Sequence, residues 1–140
     1  MSGLFGTGAG LNSDLNLLLQ IIILVILLVG FKFGRTKTEA SLRTHRRIMR
    51  VVVALNTGAI LLVMGPSLVL RFGAVLSETS VLGFPLTLVH HTIGLVAEIL
   101  GVILAFRKFG NVRLWMRITF VVWLIALAYG IVLYFVYYVL

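Results

Sequence analysis

The sequence contains no cysteine and few charged residues. Among its 140 residues are 12 lysines and arginines, 4 aspartates and glutamates, and 2 prolines. Without cysteine, disulfide bonds, thiolate metal sites and cysteine nucleophiles are excluded. The sequence also lacks a Walker-type phosphate loop, a nucleophile elbow and an HExxH zinc motif. We therefore expect a protein that is not an enzyme.

Apolar residues dominate the chain. Hydrophobic residues make up 61% of it and charged residues 11%, against about 45–50% and about 25% in soluble domains. Crossing a bilayer takes roughly 20 consecutive apolar residues. Four stretches of about that length occur, at 15–33, 48–70, 85–107 and 118–139. We predict an all-α membrane protein in which a glycine-rich segment, 1–14, precedes a single bundle of four transmembrane helices, 15–140.

The net charge of +8 is distributed unevenly along the chain. Seven of the twelve basic residues lie in 32–50, four in 107–117 and one, Arg71, in the predicted outer loop 71–84. The positive-inside rule places the two basic segments in the cytoplasm and both termini outside. The aromatic residues lie mainly in the spans, so we expect contacts with anionic lipid and no nucleic-acid partner.

The second span has a recognisable start and a predicted kink. Thr38 to Ser41 has the pattern of a helix start, with Glu39 in the first turn and arginines after it. This helix is predicted to begin in the interfacial region and to enter the bilayer near Ile48. Pro66 lacks a backbone N–H, which predicts a kink in the outer third of the span. The first span is followed, not preceded, by basic residues, so we interpret it as a retained helix and not a signal peptide.

The third span holds ionisable residues at bilayer depth, namely His90, His91 and Glu98. Each costs about 2.5–3.5 kcal/mol on insertion scales, so such residues usually have a partner or a function. His91 and Glu98 are seven residues apart and share a helix face, about 10 Å from each other, too far to bind one metal together. His90 points about 100° away from His91.

Three interpretations of these histidines remain open. Both could hydrogen-bond across helices or face interfacial water. One of them, with His91 as the metal ligand, could bind haem b alone, with Met64, or with its counterpart in another subunit. Histidine and methionine near the outer face could instead handle copper. A stripe of small residues that would admit another helix or a flat cofactor follows on the same span: Gly94, Ala97, Gly101 and Ala105.

Depth along the helices restricts the partners of the other polar residues. Glu98 lies near the middle of the bilayer, level with Tyr129, and we predict a buried acid hydrogen-bonded to Tyr129 or Asn56 and not a proton carrier. His45 lies at the cytoplasmic edge, more than about 20 Å from the third-span histidines, so it cannot share a metal with them.

Three stretches are distinctive: HRRIMRVVVAL at 45–55, LVHHTIGLVAEILGVILAFR at 88–107 and RITFVVWLIALAYGIVLYFVYY at 117–138. They resemble three helices of family 420 of the domains of unknown function, small four-helix membrane proteins of bacteria and archaea. The region from 45 to 138 covers about two-thirds of the chain. Where that family usually has a further histidine before the last span, this chain has Asn111, Val112 and Arg113.

The resemblance implies a role in the maturation of haem-copper terminal oxidases, with His45 and one of His90 and His91 as functional positions. We therefore expect a membrane accessory or assembly protein of a respiratory oxidase that holds haem or copper near the outer face. The alternatives are a small b-type membrane cytochrome and a purely structural or oligomer-forming subunit. Other membrane subunits or a second copy of the chain are the expected protein partners.

Overall fold

The computed structural model describes residues 3–66, 68, 69, 73, 83–107 and 110–139. Within them the chain forms four long helices and no strand. The helices are α1 (Leu11–Arg35), α2 (Glu39–Ala59), α3 (Gly83–Phe106) and α4 (Val112–Tyr138). Each is long and apolar enough to cross a membrane, which confirms the predicted all-α bundle of four membrane-spanning helices. The predicted outer loop, 71–84, lies mostly outside the described residues.

Capping side chains define where the helices begin. The Thr38 hydroxyl accepts a hydrogen bond of 3.2 Å from the backbone N–H of Ser41, so α2 begins where the sequence pattern predicts. Asn111 caps α4 in the same way, through the N–H of Leu114 at 3.3 Å. In contrast, α1 begins at Leu11 and not at residue 15. The first helical turn therefore extends into the segment predicted to precede the bundle.

The second helix changes its winding before Pro66. From Ile60 to Met64 the chain is π-helical, and the N–H of Gly65 donates to the carbonyl of Ile60. In a regular α-helix the Pro66 ring would clash with the carbonyl of Leu62, four residues earlier. A wider turn moves that carbonyl away. The helix thus departs from regular α winding in the turn before Pro66, and a bend of its axis at Pro66 stays a prediction.

Helices that follow one another in the chain pack most closely, α1 against α2 and α3 against α4, with further contacts between α2 and α3. The core cluster takes one buried residue from each helix: Ile23, Val52, Ala97 and Trp123. At Gly30 a Cβ atom would lie 2.8 Å from Cγ2 of Ile48, so glycine lets α1 approach α2 closely. Large apolar side chains cover the outward faces of all four helices. This is a multi-pass membrane protein whose surroundings are a lipid bilayer.

One buried hydroxyl in α4 predicts a stabilising substitution. The Oγ1 atom of Thr119 is buried and has no hydrogen-bond partner within the described part of the chain. Thr119→Val keeps the shape of the side chain and removes the unsatisfied group, so we expect the free energy of unfolding to rise by about 1 kcal/mol. Unfolding of the detergent-solubilised protein by SDS titration would measure this. The control is Thr44→Val, because the exposed Thr44 hydroxyl already donates to the carbonyl of Ala40 at 3.1 Å. A loss of stability in Thr119→Val as large as in this control would contradict the expectation.

Candidate functional site

A cavity of about 900 Å³ lies between the four helices. It is at the end of the bundle where α1 begins and α4 ends, which we call the upper end; the lower end is where α1 gives way to α2. Ligand cavities in proteins are typically about 300–1,000 Å³, so this one is large enough for a cofactor. Its wall includes Asn16 and Gln20 of α1, Asn56 and Met64 of the second helix, His90 and His91 of α3, and Trp123, Gly130 and Tyr134 of α4. The structure thus brings together His90, His91 and Met64, the residues predicted to bind a cofactor.

His90 connects α3 to α4. Its Nδ1 atom lies 2.9 Å from the backbone carbonyl oxygen of Ala126. A carbonyl only accepts, so Nδ1 carries the proton and the lone pair of the neutral ring is on Nε2. The ring also packs against Gly130, where a Cβ atom would come within 2.8 Å of Cε1. The first of the three interpretations, a hydrogen bond across helices, therefore describes His90.

His91 is held differently. Its Nδ1 atom lies 2.8 Å from the carbonyl oxygen of Thr87, one turn earlier in the same helix. This bond again leaves the lone pair on Nε2, but it ties the ring to no other helix. A histidine that binds a metal through Nε2 commonly donates its Nδ1–H to a backbone carbonyl in the same way. The two rings meet edge to face, with 5.3 Å between their centroids. Of the pair, His91 is the better placed to bind a ligand in the cavity.

The predicted stripe of small residues divides between two surfaces. Gly94 lines the cavity, and a Cβ atom added there would meet no atom of the described residues within 4 Å. Ala97 is buried in the core, and a Cβ atom on Gly101 would lie 3.4 Å from Cγ2 of Val53 in α2. Only the upper part of the stripe thus leaves room for a flat group; the lower part is a packing surface against α2.

The described residues contain no group of three or more histidine, aspartate and glutamate side chains placed to hold a metal ion. A bare metal would need such a set, or thioether ligands in addition. Haem brings four nitrogen ligands of its own and needs one or two from the protein. The donor set of the cavity, His91 with Met64 in the same wall, therefore fits haem better than a free metal ion. Asn16 adds to the cavity wall a buried side-chain oxygen that has no hydrogen-bond partner among the described residues.

Below the cavity a string of buried polar side chains crosses three helices. Asn56 donates from Nδ2 to Oε2 of Glu98 at 2.6 Å, and the Thr57 hydroxyl donates to Oε1 of the same carboxyl group. Gln20 donates from Nε2 to Oδ1 of Asn56 at 3.1 Å. Of the two predicted partners of Glu98, the structure shows Asn56 in that position and not Tyr129. Gln20 was not predicted, although it is the sole polar residue in the apolar run 17–29.

A second buried acid, Asp14, was also missed from the sequence. Its side chain is fully buried, although it was predicted to precede the first span. The Tyr134 hydroxyl donates to its Oδ1 atom at 2.5 Å, and the backbone N–H of Phe5 donates to its Oδ2 atom at 3.2 Å. The N–H of Gly8 in turn donates to the carbonyl of Tyr138 at 3.1 Å. Asp14 thus anchors the segment before α1 to the end of α4.

His45 lies away from the cavity, at the lower end. Its Nδ1 atom is 2.8 Å from the carbonyl oxygen of Gly30, so it links the start of α2 to the end of α1. The ring is partly buried and packs beside Gly34. It is therefore separate from the cavity histidines, as the count along the helices predicts.

Comparison with protein-family models, with curated proteins and with solved structures gives no match to this chain. Its function is therefore inferred from the geometry of the cavity.

Proposed function

We propose that this protein holds haem in the upper cavity, with His91 as the iron ligand. The observation that carries the proposal is the position of His91 in the wall of a cavity of about 900 Å³. Its Nδ1 atom donates to a backbone carbonyl, so the lone pair on Nε2 can bind a metal. The open space beside Gly94 supports the entry of a flat group.

The residues of the chain have separate tasks in this proposal. His91 would bind the iron, and Met64, which also lines the cavity, is the candidate for a second ligand. His90 holds α3 against α4 through Ala126 and so fixes the height of its neighbour in the cavity. The unpartnered oxygen of Asn16 offers a hydrogen-bond acceptor to a polar group of the ligand. Bound haem would supply one-electron redox chemistry.

The wider role we propose is that of a non-enzymatic accessory or assembly protein of a respiratory haem-copper oxidase. The support is the resemblance of residues 45–55, 88–107 and 117–138 to the small four-helix family described above. In that role the protein would contact other membrane subunits or a second copy of itself.

The distribution of charge supports an orientation for the chain. The α1–α2 and α3–α4 connections are both at the lower end, and eleven of the twelve basic residues lie in segments 32–50 and 107–117, which contain them. We therefore place the lower end in the cytoplasm and both termini outside. The upper cavity would then lie toward the outer face of the membrane.

The proposed function is tested by absorption spectroscopy of the detergent-purified protein, expressed with haem and copper supplied. We expect haem in nearly equal molar amount to the chain, a Soret band, and the α-band of haem b after reduction with dithionite. Metal analysis of the same sample should show iron. A colourless, metal-free protein would overturn the proposal and leave a structural bundle, whereas stoichiometric copper without haem would replace haem by the copper alternative.

A further inference from the structure

Glu98 is a buried carboxyl group whose partners are all uncharged. Its side chain is 8% exposed, and within the described residues no ion pair joins it to a basic group. An unpaired carboxylate in a membrane interior is costly, so such a group either binds a proton or serves a cation. Its two partners, the amide of Asn56 and the hydroxyl of Thr57, show which of these applies.

Both partners of Glu98 can reverse their hydrogen bonds. In the structure Asn56 and Thr57 both donate hydrogen bonds to the carboxyl group of Glu98. This arrangement satisfies the ionised form of the group. A protonated Glu98 needs an acceptor instead. Thr57 can accept through its oxygen, and a turn of the Asn56 amide would present Oδ1 to Glu98 and Nδ2 to Gln20. Gln20 can follow by the same turn, so the string is satisfied with or without the proton.

Asp14 gives an internal comparison. One of its oxygens accepts from the backbone N–H of Phe5, a group that only donates. Protonation of that oxygen would therefore break the contact that holds the segment before α1. Asp14 can therefore take a proton only on Oδ1, which faces the Tyr134 hydroxyl, whereas each oxygen of Glu98 faces a side chain that can donate or accept.

Few other ionisable groups share the surroundings of Glu98. Near its level on the neighbouring helices the sequence has only Tyr129, on α4. Arg50, toward the lower end of α2, donates from Nε to the carbonyl of Ala105 at 3.5 Å. The next ionisable residues toward the upper end are Asp14, Tyr134 and, on α3 itself, His90 and His91. A change of charge at Glu98 is therefore not cancelled by an adjacent base.

The string connects Glu98 to the cavity. Asn56 and Gln20 both line the cavity wall, and Asn56 is hydrogen-bonded to the carboxyl group behind it. In place of the sequence-based expectation that Glu98 does not carry a proton, we propose that it is a reversible proton-binding site that exchanges its proton with the upper cavity, with Asn56 as the side chain that covers it. This goes beyond haem binding and requires no bound haem. Because Asn56 belongs to both the string and the wall, a ligand that hydrogen-bonds to Asn56 would shift the protonation of Glu98, and the reverse follows by linkage.

The proposal is tested on the haem-free wild-type protein with dicyclohexylcarbodiimide, which reacts with protonated carboxyl groups in apolar surroundings. Labelled peptides are quantified by mass spectrometry in a series of samples from acid to alkaline pH. We expect the adduct at Glu98 to fall at least about tenfold from the acid end of the series to the alkaline end. Glu98→Gln should remove the adduct, and Asn56→Ala should accelerate labelling because the cover is gone.

The wild-type chain contains its own controls. Asp14 is expected to stay unlabelled because its side chain is fully buried. Glu39 is exposed to water at the start of α2, where adducts hydrolyse. Labelling of Glu98 that is equal at every pH, or absent at every pH, would overturn the proposal. Protection by sodium chloride but not by choline chloride would also overturn it, since Glu98 would then bind a metal cation. A failure of haem binding leaves this experiment unaffected.

Discussion

His91→Gly is expected to weaken haem binding by at least about 100-fold and to leave the four-helix fold intact. Loss of a residue that only orients a metal ligand costs about 10–100-fold in affinity, so loss of the ligand itself should cost more. The fold should persist because, among the described residues, the side chain of His91 hydrogen-bonds only to Thr87 of its own helix. Titration of the purified protein with haem, followed by the Soret absorbance, measures the affinity. Added imidazole should enter the space left by the side chain and restore the band.

Two matched histidine variants show whether this effect is specific. His45→Ala, at the lower end, should bind haem like the wild type. His90→Ala removes the bond to Ala126 and the packing on Gly130, so it should lower the free energy of unfolding by about 1–2 kcal/mol while retaining a Soret band. If His91→Gly keeps an unchanged spectrum, or if His90→Ala alone abolishes it, the assignment of the ligand is wrong.

Asn56→Leu is expected to produce the largest loss of stability among single substitutions in the buried string. It removes the hydrogen bonds to Gln20 and to Glu98 together and leaves polar atoms of both residues without partners. Hydrogen bonds between membrane helices contribute about 0.6 kcal/mol on average, and a buried group left unpaired costs about 1–3 kcal/mol. We therefore expect the free energy of unfolding to fall by about 2–4 kcal/mol in SDS titrations.

Thr57→Val is the matched control for Asn56→Leu. It removes one donor to Glu98 and leaves the bond between Gln20 and Asn56 in place. The expected loss is about half as large. The double variant Asn56→Leu with Glu98→Gln should lose less stability than the sum of the losses in the two single variants, since both substitutions act on one network. Strict additivity would show that Asn56 and Glu98 are energetically independent.

The four helices could be predicted because each is a long apolar run of membrane length. In a bilayer such a segment must satisfy its backbone hydrogen bonds internally, as a helix does. The start of α2 could be predicted because Thr38 is a local capping signal. The start of α1 could not. Asp14 and the polar residues around it resemble a loop, and Asp14 is buried because Tyr134, 120 residues later, and the segment before α1 close over it.

The sequence indicates how deep in the membrane each polar residue of the candidate site lies, but not which way its side chain points around the helix axis. Counting along the helices gives both Asn56 and Tyr129 as candidate partners for Glu98, and Met64, His90 and His91, predicted near the outer face, all line the cavity. Which of the two meets the carboxyl group depends on how each helix is rotated about its axis. That rotation is set by packing between helices, such as the fit of His90 against Gly130. The cavity itself is a property of this packing and has no signature in the sequence.

The π-helical segment Ile60–Met64 sets the phase of everything that follows it in the second helix. A π turn holds one residue more than an α turn, so it behaves like a single-residue insertion inside an otherwise regular helix. If the same residues wound as a regular α-helix, the helix beyond them would turn by about 100°. Met64 and Pro66 would then leave the cavity wall, although the sequence of the span would be unchanged. The winding of the helix at this point thus selects which residues it presents to the cavity.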